Sequence, residues 1–71
     1  MTILVTGSSG FIGSNLVKYL QKKKKKFVGI DKTINPYFKF KNFIKVDLKN
    51  KSKVEKIIRK KNIKSVIHLA A

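Results

Sequence analysis

No cysteine or tryptophan occurs in this chain, and proline appears once, as Pro36. Without thiols there is neither a disulfide framework nor a thiolate zinc site, so a reducing, cytoplasmic setting is the expectation. Acidic residues are nearly absent as well. Asp31, Asp47 and Glu55 stand against 18 Lys and Arg, for a formal charge of +15. No apolar run approaches the roughly 20 residues that a membrane-spanning helix needs. Met1-Thr2-Ile3 leads straight into an apolar strand, so neither a secretory leader nor a membrane partner is expected. At 71 residues the chain is one small domain at most, one that would bury about 60% of its unfolded surface.

So large a positive charge raises nucleic acid or an anionic membrane as a partner. The kind of charge argues otherwise. Arg59 is the only arginine, whereas a surface that reads phosphates usually recruits arginine. Ile and Asn are abundant while Ala, Gly and Pro are scarce, which is the pattern of A- and T-rich codons with Lys filling solvent positions. A nucleic-acid role is therefore the minor alternative. It would rest on the lysine run Lys22 to Lys26, because Tyr37, Phe38 and Phe40 lie in an expected loop beside Lys39 and Lys41.

What is present is a strand–helix alternation. Thr2 to Thr6 is β-branched and apolar and ends at Gly7, as a buried strand would. From Phe11 to about Lys23, Ile12, Leu16, Tyr19 and Leu20 recur at helical spacing, and the helix is expected to end inside the lysine run. Phe27 to Ile30, closed by Asp31, reads as a second strand, residues 32–42 as loop, and Phe43 to Val46 as a third strand ending at Asp47. Ser52 and Glu55 have the spacing of a capping box at the start of a second helix. Val54, Ile57 and Ile58 supply its apolar face, and Asn62 can end it in a left-handed conformation. Ser65 to Leu69 is the fourth strand. The order β-α-β-loop-β-α-β implies an α/β fold, a partial Rossmann fold with right-handed crossovers and parallel strand order 3-2-1-4. Ligands bind beyond the strand C-termini at the topological switch, here between strands 1 and 4.

Thr6-Gly7-Ser8-Ser9-Gly10-Phe11-Ile12-Gly13 sits at that edge, between the first strand and the first helix. Its glycines permit a sharp bend and close approach to a pyrophosphate, and the helix start aims free N–H groups at the anion. Asp31, 18 positions beyond Gly13, falls where a Rossmann unit carries the carboxylate that binds ribose hydroxyls. A 2′-phosphate would meet that charge, which favours NAD over NADP, while Lys32 partly offsets the preference. Asp47 can equally cap a turn. His68 has no Ser, Cys or Asp partner nearby in sequence and reads as a hydrogen-bonded structural residue rather than a base. The small residues Ala70 and Ala71 would let a cofactor approach the backbone. Four strand ends thus converge on one crevice.

These motifs resemble the N-terminal part of the extended short-chain dehydrogenase/reductases, in particular the NAD-dependent sugar-nucleotide epimerase/dehydratase family. The TGxxGFIG opening is present as Thr6 to Gly13, the strand-2 acid as Asp31, an Asp-Leu pair as Asp47-Leu48, and an HLAA segment as His68 to Ala71. The resemblance implies that Gly7, Gly10, Phe11, Ile12 and Gly13 surround the pyrophosphate of NAD. It puts Asp31 and Lys32 at the adenosine ribose, Asp47 and Leu48 beside the adenine, and Leu69, Ala70 and Ala71 along the middle of the cofactor.

The same resemblance implies a Tyr-x-x-x-Lys pair with a Ser or Thr, well beyond the HLAA segment, acting on a sugar nucleotide. Two pairs here have the spacing. Tyr19 and Lys23 fall on the first helix, and Tyr37 and Lys41 in the loop on the adenosine side, so neither is expected to be catalytic. Residues 1–71 are therefore expected to be the N-terminal part of a dinucleotide-binding domain, truncated and inactive alone, with the catalytic and substrate regions absent. A free-standing NAD-binding module without chemistry is the alternative.

Overall fold

The computed structural model describes residues 2–69. Its elements are β1 (Thr2–Thr6), α1 (Phe11–Lys22), β2 (Phe27–Asp31), β3 (Phe43–Lys45), α2 (Lys51–Lys60) and β4 (Ile63–His68). The four strands form one sheet in the order β3-β2-β1-β4, every neighbouring pair parallel. This is the α/β arrangement and strand order that the alternation of elements predicts.

Central β1 shows why the sheet forms. Successive side chains of a strand point to opposite faces, and a parallel sheet must cover both. Leu4 packs on one face with Val28, Ile30, Val46 and Ile57 of α2, while Val5 packs on the other with Val17 and Leu20 of α1 and with Phe27. The alternation divides the apolar residues between two thin cores.

The β2–β3 connection carries no helix, so the α1 face beyond β2 needs another cover. Aromatic side chains of the 32–42 segment supply it. The Phe40 ring centroid lies 5.7 Å from those of Phe27, Phe38 and Phe43. Gly29 makes the space, because a methyl group there would lie 2.5 Å from the Phe40 ring and 2.9 Å from Ser8 Cβ. Ser8 is wholly buried under this plug, and its hydroxyl has no hydrogen-bond partner.

Both helices end in left-handed residues. Asn62 (φ 53°) does so after α2, as its residue type predicts. After α1 the position is held by Lys24 (φ 56°), whose N–H donates to Gln21 O while that of Lys25 donates to Leu20 O. That hydrogen-bond pair is the Schellman arrangement, built here without the usual glycine.

The start of α2 departs from expectation. Asn50, not Ser52, is the N-cap, with its side-chain oxygen accepting the Lys53 N–H at 3.3 Å. Asp47 Oδ1 accepts the Lys49 N–H at 2.9 Å, and the turn it forms brings the chain into the helix two residues before Ser52. Ser52 thus lies inside the first turn, where its spacing to Glu55 makes no box. Asn50→Ala should lower stability by about 1 kcal/mol in urea unfolding, with Ser52→Ala within about 0.5 kcal/mol of the parent. The reverse order would restore Ser52 as the cap.

Candidate functional site

Strand C-termini and the turns that follow them lie along one edge of the sheet. At that edge Gly7, Gly10, Asp31, Lys32, Asp47, Leu48 and Leu69 line a crevice of about 470 Å³, together with Ile30, Val46 and Lys49. Seven residues singled out from sequence are therefore brought together. Phe11 and Ile12, which the family resemblance puts around a pyrophosphate, are not among the lining residues; they begin α1 with exposed side chains. Gly13 is buried beneath the turn. Ala70 and Ala71 lie outside the described residues.

Each glycine of the turn answers a different constraint. Gly7 has φ 72°, which side-chain-bearing residues seldom adopt. At Gly13 a methyl group would run into the Gly7 carbonyl and lie 2.9 Å from Ser8 Cα, so α1 can pack this closely on β1 only through glycine. Gly10 has no such internal demand. A methyl group there would meet only Gly7 O, at an ordinary 3.5 Å, and would otherwise project into open space beside the crevice. Steric packing therefore does not demand glycine at position 10, although glycine also suits the N-cap that it occupies.

The same turn prepares an anion site. Gly10 is the N-cap of α1 and provides no side-chain hydrogen bond, and no acid occupies the first turn. The first intrahelical bond is Ser14 N–H to Gly10 O at 2.9 Å. The amides of Phe11, Ile12 and Gly13 precede it and have no intrahelical acceptor, and the positive end of the helix dipole lies with them.

Asp31 is held from two sides. Its Oδ2 accepts the Ser9 N–H at 3.1 Å and its Oδ1 accepts the Lys32 N–H at 2.7 Å. Each oxygen keeps a further lone pair for a hydroxyl donor in the crevice. Gly7 and Ser8 N–H both donate to Ile30 O, tying the turn to the end of β2. Ser9 and Asn35 extend the tie, and neither was picked out from sequence. Ser9 Oγ donates to Thr33 O at 2.5 Å, and Asn35 Nδ2 donates to Ser9 O at 3.2 Å. The available signal was the Asn35-Pro36 pair, which marks a turn in which a side-chain amide bonds backbone; here Asn35 Oδ1 accepts the Tyr37 N–H at 2.8 Å.

Across the switch point, the buried Thr6 hydroxyl lies 2.6 Å from His68 Nδ1 and accepts the Leu69 N–H at 3.1 Å. The Leu69 N–H is shared between this hydroxyl and the Thr6 carbonyl, each at 3.1 Å. His68 is thereby engaged in joining the ends of β1 and β4. The two Tyr/Lys pairs are elsewhere: Tyr19 and Lys23 at the far end of α1, and Tyr37 fully exposed in the loop. Among the described residues no cluster of His, Asp and Glu could hold a metal ion, and no helix is long and apolar enough to cross a membrane.

Residues 3–71 match the model of the NAD dependent epimerase/dehydratase family. The chain belongs to this family. It is 38% identical to GDP-6-deoxy-D-talose 4-dehydrogenase of Aggregatibacter actinomycetemcomitans, over all of this chain and 21% of that protein. It is 39% identical to dTDP-glucose 4,6-dehydratase of Haemophilus influenzae, over all of this chain and 24% of that one. The crystal structure of Thermus thermophilus UDP-glucose 4-epimerase in complex with NAD superposes with a TM-score of 0.88 at 36% identity, covering all of this chain and 24% of the epimerase. The chain thus spans about a quarter of the length of these family members.

Gly13→Ala should lower stability by about 1–3 kcal/mol, because the helix must lift from the strand. Gly10→Ala should stay within about 1 kcal/mol of the parent. Thermal unfolding of the two variants checks the contrast, and equal losses would show that Gly10 is also required by internal packing.

Proposed function

We propose that residues 1–71 are the N-terminal part of the dinucleotide-binding domain of a sugar-nucleotide epimerase or dehydratase, taking NAD across the crevice without turnover of their own. One observation carries the reading. The uncapped first turn of α1 and a carboxylate fastened by two backbone amides border the same crevice, beside a glycine that internal packing does not require.

The amides of Phe11, Ile12 and Gly13 receive the pyrophosphate, whose charge the dipole end of α1 favours, while the Gly10 N–H is kept by the Gly7 carbonyl within the turn. Asp31 accepts from the adenosine ribose hydroxyls, with Lys32 beside it. Asp47 and Leu48 flank the adenine, and Leu69 lies along the middle of the cofactor. A 2′-phosphate would face the Asp31 carboxylate with only Lys32 in compensation, so NAD is preferred to NADP. When bound, the nicotinamide supplies hydride exchange. The residues here bind and orient; neither Tyr19-Lys23 nor Tyr37-Lys41 borders the crevice that would hold it. Proton transfer on the sugar belongs to residues outside these 71. The named relatives act as a dehydrogenase, a dehydratase and an epimerase, and all three names specify a nucleoside-diphosphate hexose. That supports a substrate of this class for the whole enzyme.

Calorimetric titration of the chain with NAD and with NADP tests the cofactor reading. NAD should bind the more tightly, and Asp31→Ala should weaken NAD about tenfold or more while narrowing the gap to NADP. A parent chain that prefers NADP would overturn the cofactor choice, and one that binds neither would overturn the function. Incubated with NAD and UDP-glucose, the 71-residue chain should leave the sugar unchanged. Epimerised or dehydrated product would refute the assignment of chemistry to other residues.

A further inference from the structure

A parallel sheet with crossover helices sends strand starts and helix ends to one edge, and in this chain those are the lysine-rich positions. α1 runs out into Lys22 to Lys26, α2 into Arg59 to Lys61, and Lys41 leads into β3. Lys26, Lys41 and Lys61 come from three separate connections, yet together they line a single pocket of about 280 Å³, with Thr2 and Asn42. No carboxylate lines it. Asp31 and Asp47 border the crevice on the opposite edge, and Glu55 lies 3.6 Å from Arg59.

Helix ends attract cations because of the dipole, which accounts for Lys61. It does not account for Lys41, which precedes a strand, or for Lys26, which stands directly before one. We propose that this pocket binds a small, multiply charged phosphate anion of the diphosphate or triphosphate class. Three exposed lysines line a concave surface floored by the starts of β2 and β3, with no carboxylate among the lining residues, and together they raise a positive potential there. Lysine suits such a ligand, being a point charge on a flexible stem with no fixed fork geometry, and Thr2 and Asn42 add neutral donors. The volume falls just below the ~300–1,000 Å³ of pockets that enclose drug-sized ligands, so a compact anion fits better than a whole dinucleotide. The site is independent of the crevice and of the function proposed for it.

Titrating the chain with inorganic pyrophosphate at low salt, while following backbone amide resonances, tests this. Shifts should centre on Lys26 to Val28 and on Lys41 and Asn42. Replacing all three lysines (Lys26→Gln, Lys41→Gln, Lys61→Gln) should weaken binding about tenfold, whereas removing equal charge from α2 (Lys51→Gln, Lys53→Gln, Lys56→Gln) should change it less than about twofold. Should the first triple variant fail to fold, Lys41→Gln alone, in an exposed loop, should still weaken binding by about threefold. Equal weakening by the two triple variants would reduce the effect to net charge and overturn the site. So would shifts confined to Gly10 to Gly13, or a single-stranded oligonucleotide that binds more tightly than pyrophosphate and shifts lysines over the whole surface.

Discussion

The approach of α1 to β1 at Gly13 is the constraint on which the rest of this molecule depends. With no side chain at that position, the first turn of the helix rests against the Gly7 carbonyl. The helix start then sits directly at the end of the central strand, with its free amides at the sheet edge rather than over the face. The same turn puts Ser9 N–H within reach of Asp31, so strand 2 is brought into the site by a contact made from strand 1. Lifting the helix by the width of a methyl group would separate the free amides of the helix start from the carboxylate beside them.

Charge is distributed along the sheet axis in a way that the net figure conceals. Two of the three acids border the crevice, and the lysines that share a pocket border the other edge. This polarity follows from topology, because parallel strands sort their starts and ends to opposite sides. Lys32 and Lys49 stand beside Asp31 and Asp47 in the crevice, whereas the three lysines of the opposite pocket have no acid among them, so the positive excess gathers at the strand starts.

Strand order, both helices and the convergence of Gly7, Gly10, Asp31, Lys32, Asp47, Leu48 and Leu69 were legible because each depends on local pattern plus one topological rule. What escaped reading depends on contacts distant in sequence or on competition between neighbours. Asn50 and Ser52 are both good caps, and only the Asp47 turn decides between them. Ser9 reaches Asp31, Thr33 and Asn35 across more than twenty residues, with no periodicity to announce it. The place of Phe40 over Gly29 is equally silent, since an aromatic in a loop carries no sign of the face it will cover. Family resemblance named seven of the residues that line the crevice, together with Phe11, Ile12 and Gly13, which do not line it, and it was silent on the pocket lined by Lys26, Lys41 and Lys61.

The segment from Lys32 to Asn42 serves two masters. Through Phe38 and Phe40 it seals one core, and through Asn35 and Thr33 it grips the glycine turn. A helix in its place would keep its own hydrogen bonds when the turn moved; this segment has few of its own to keep. Opening of this segment should therefore be coupled to opening of the turn. Whatever occupies the crevice and steadies Ser9 would also slow solvent entry beneath Phe40, so amide exchange deep in the α1-side core becomes a reporter of ligand at the sheet edge.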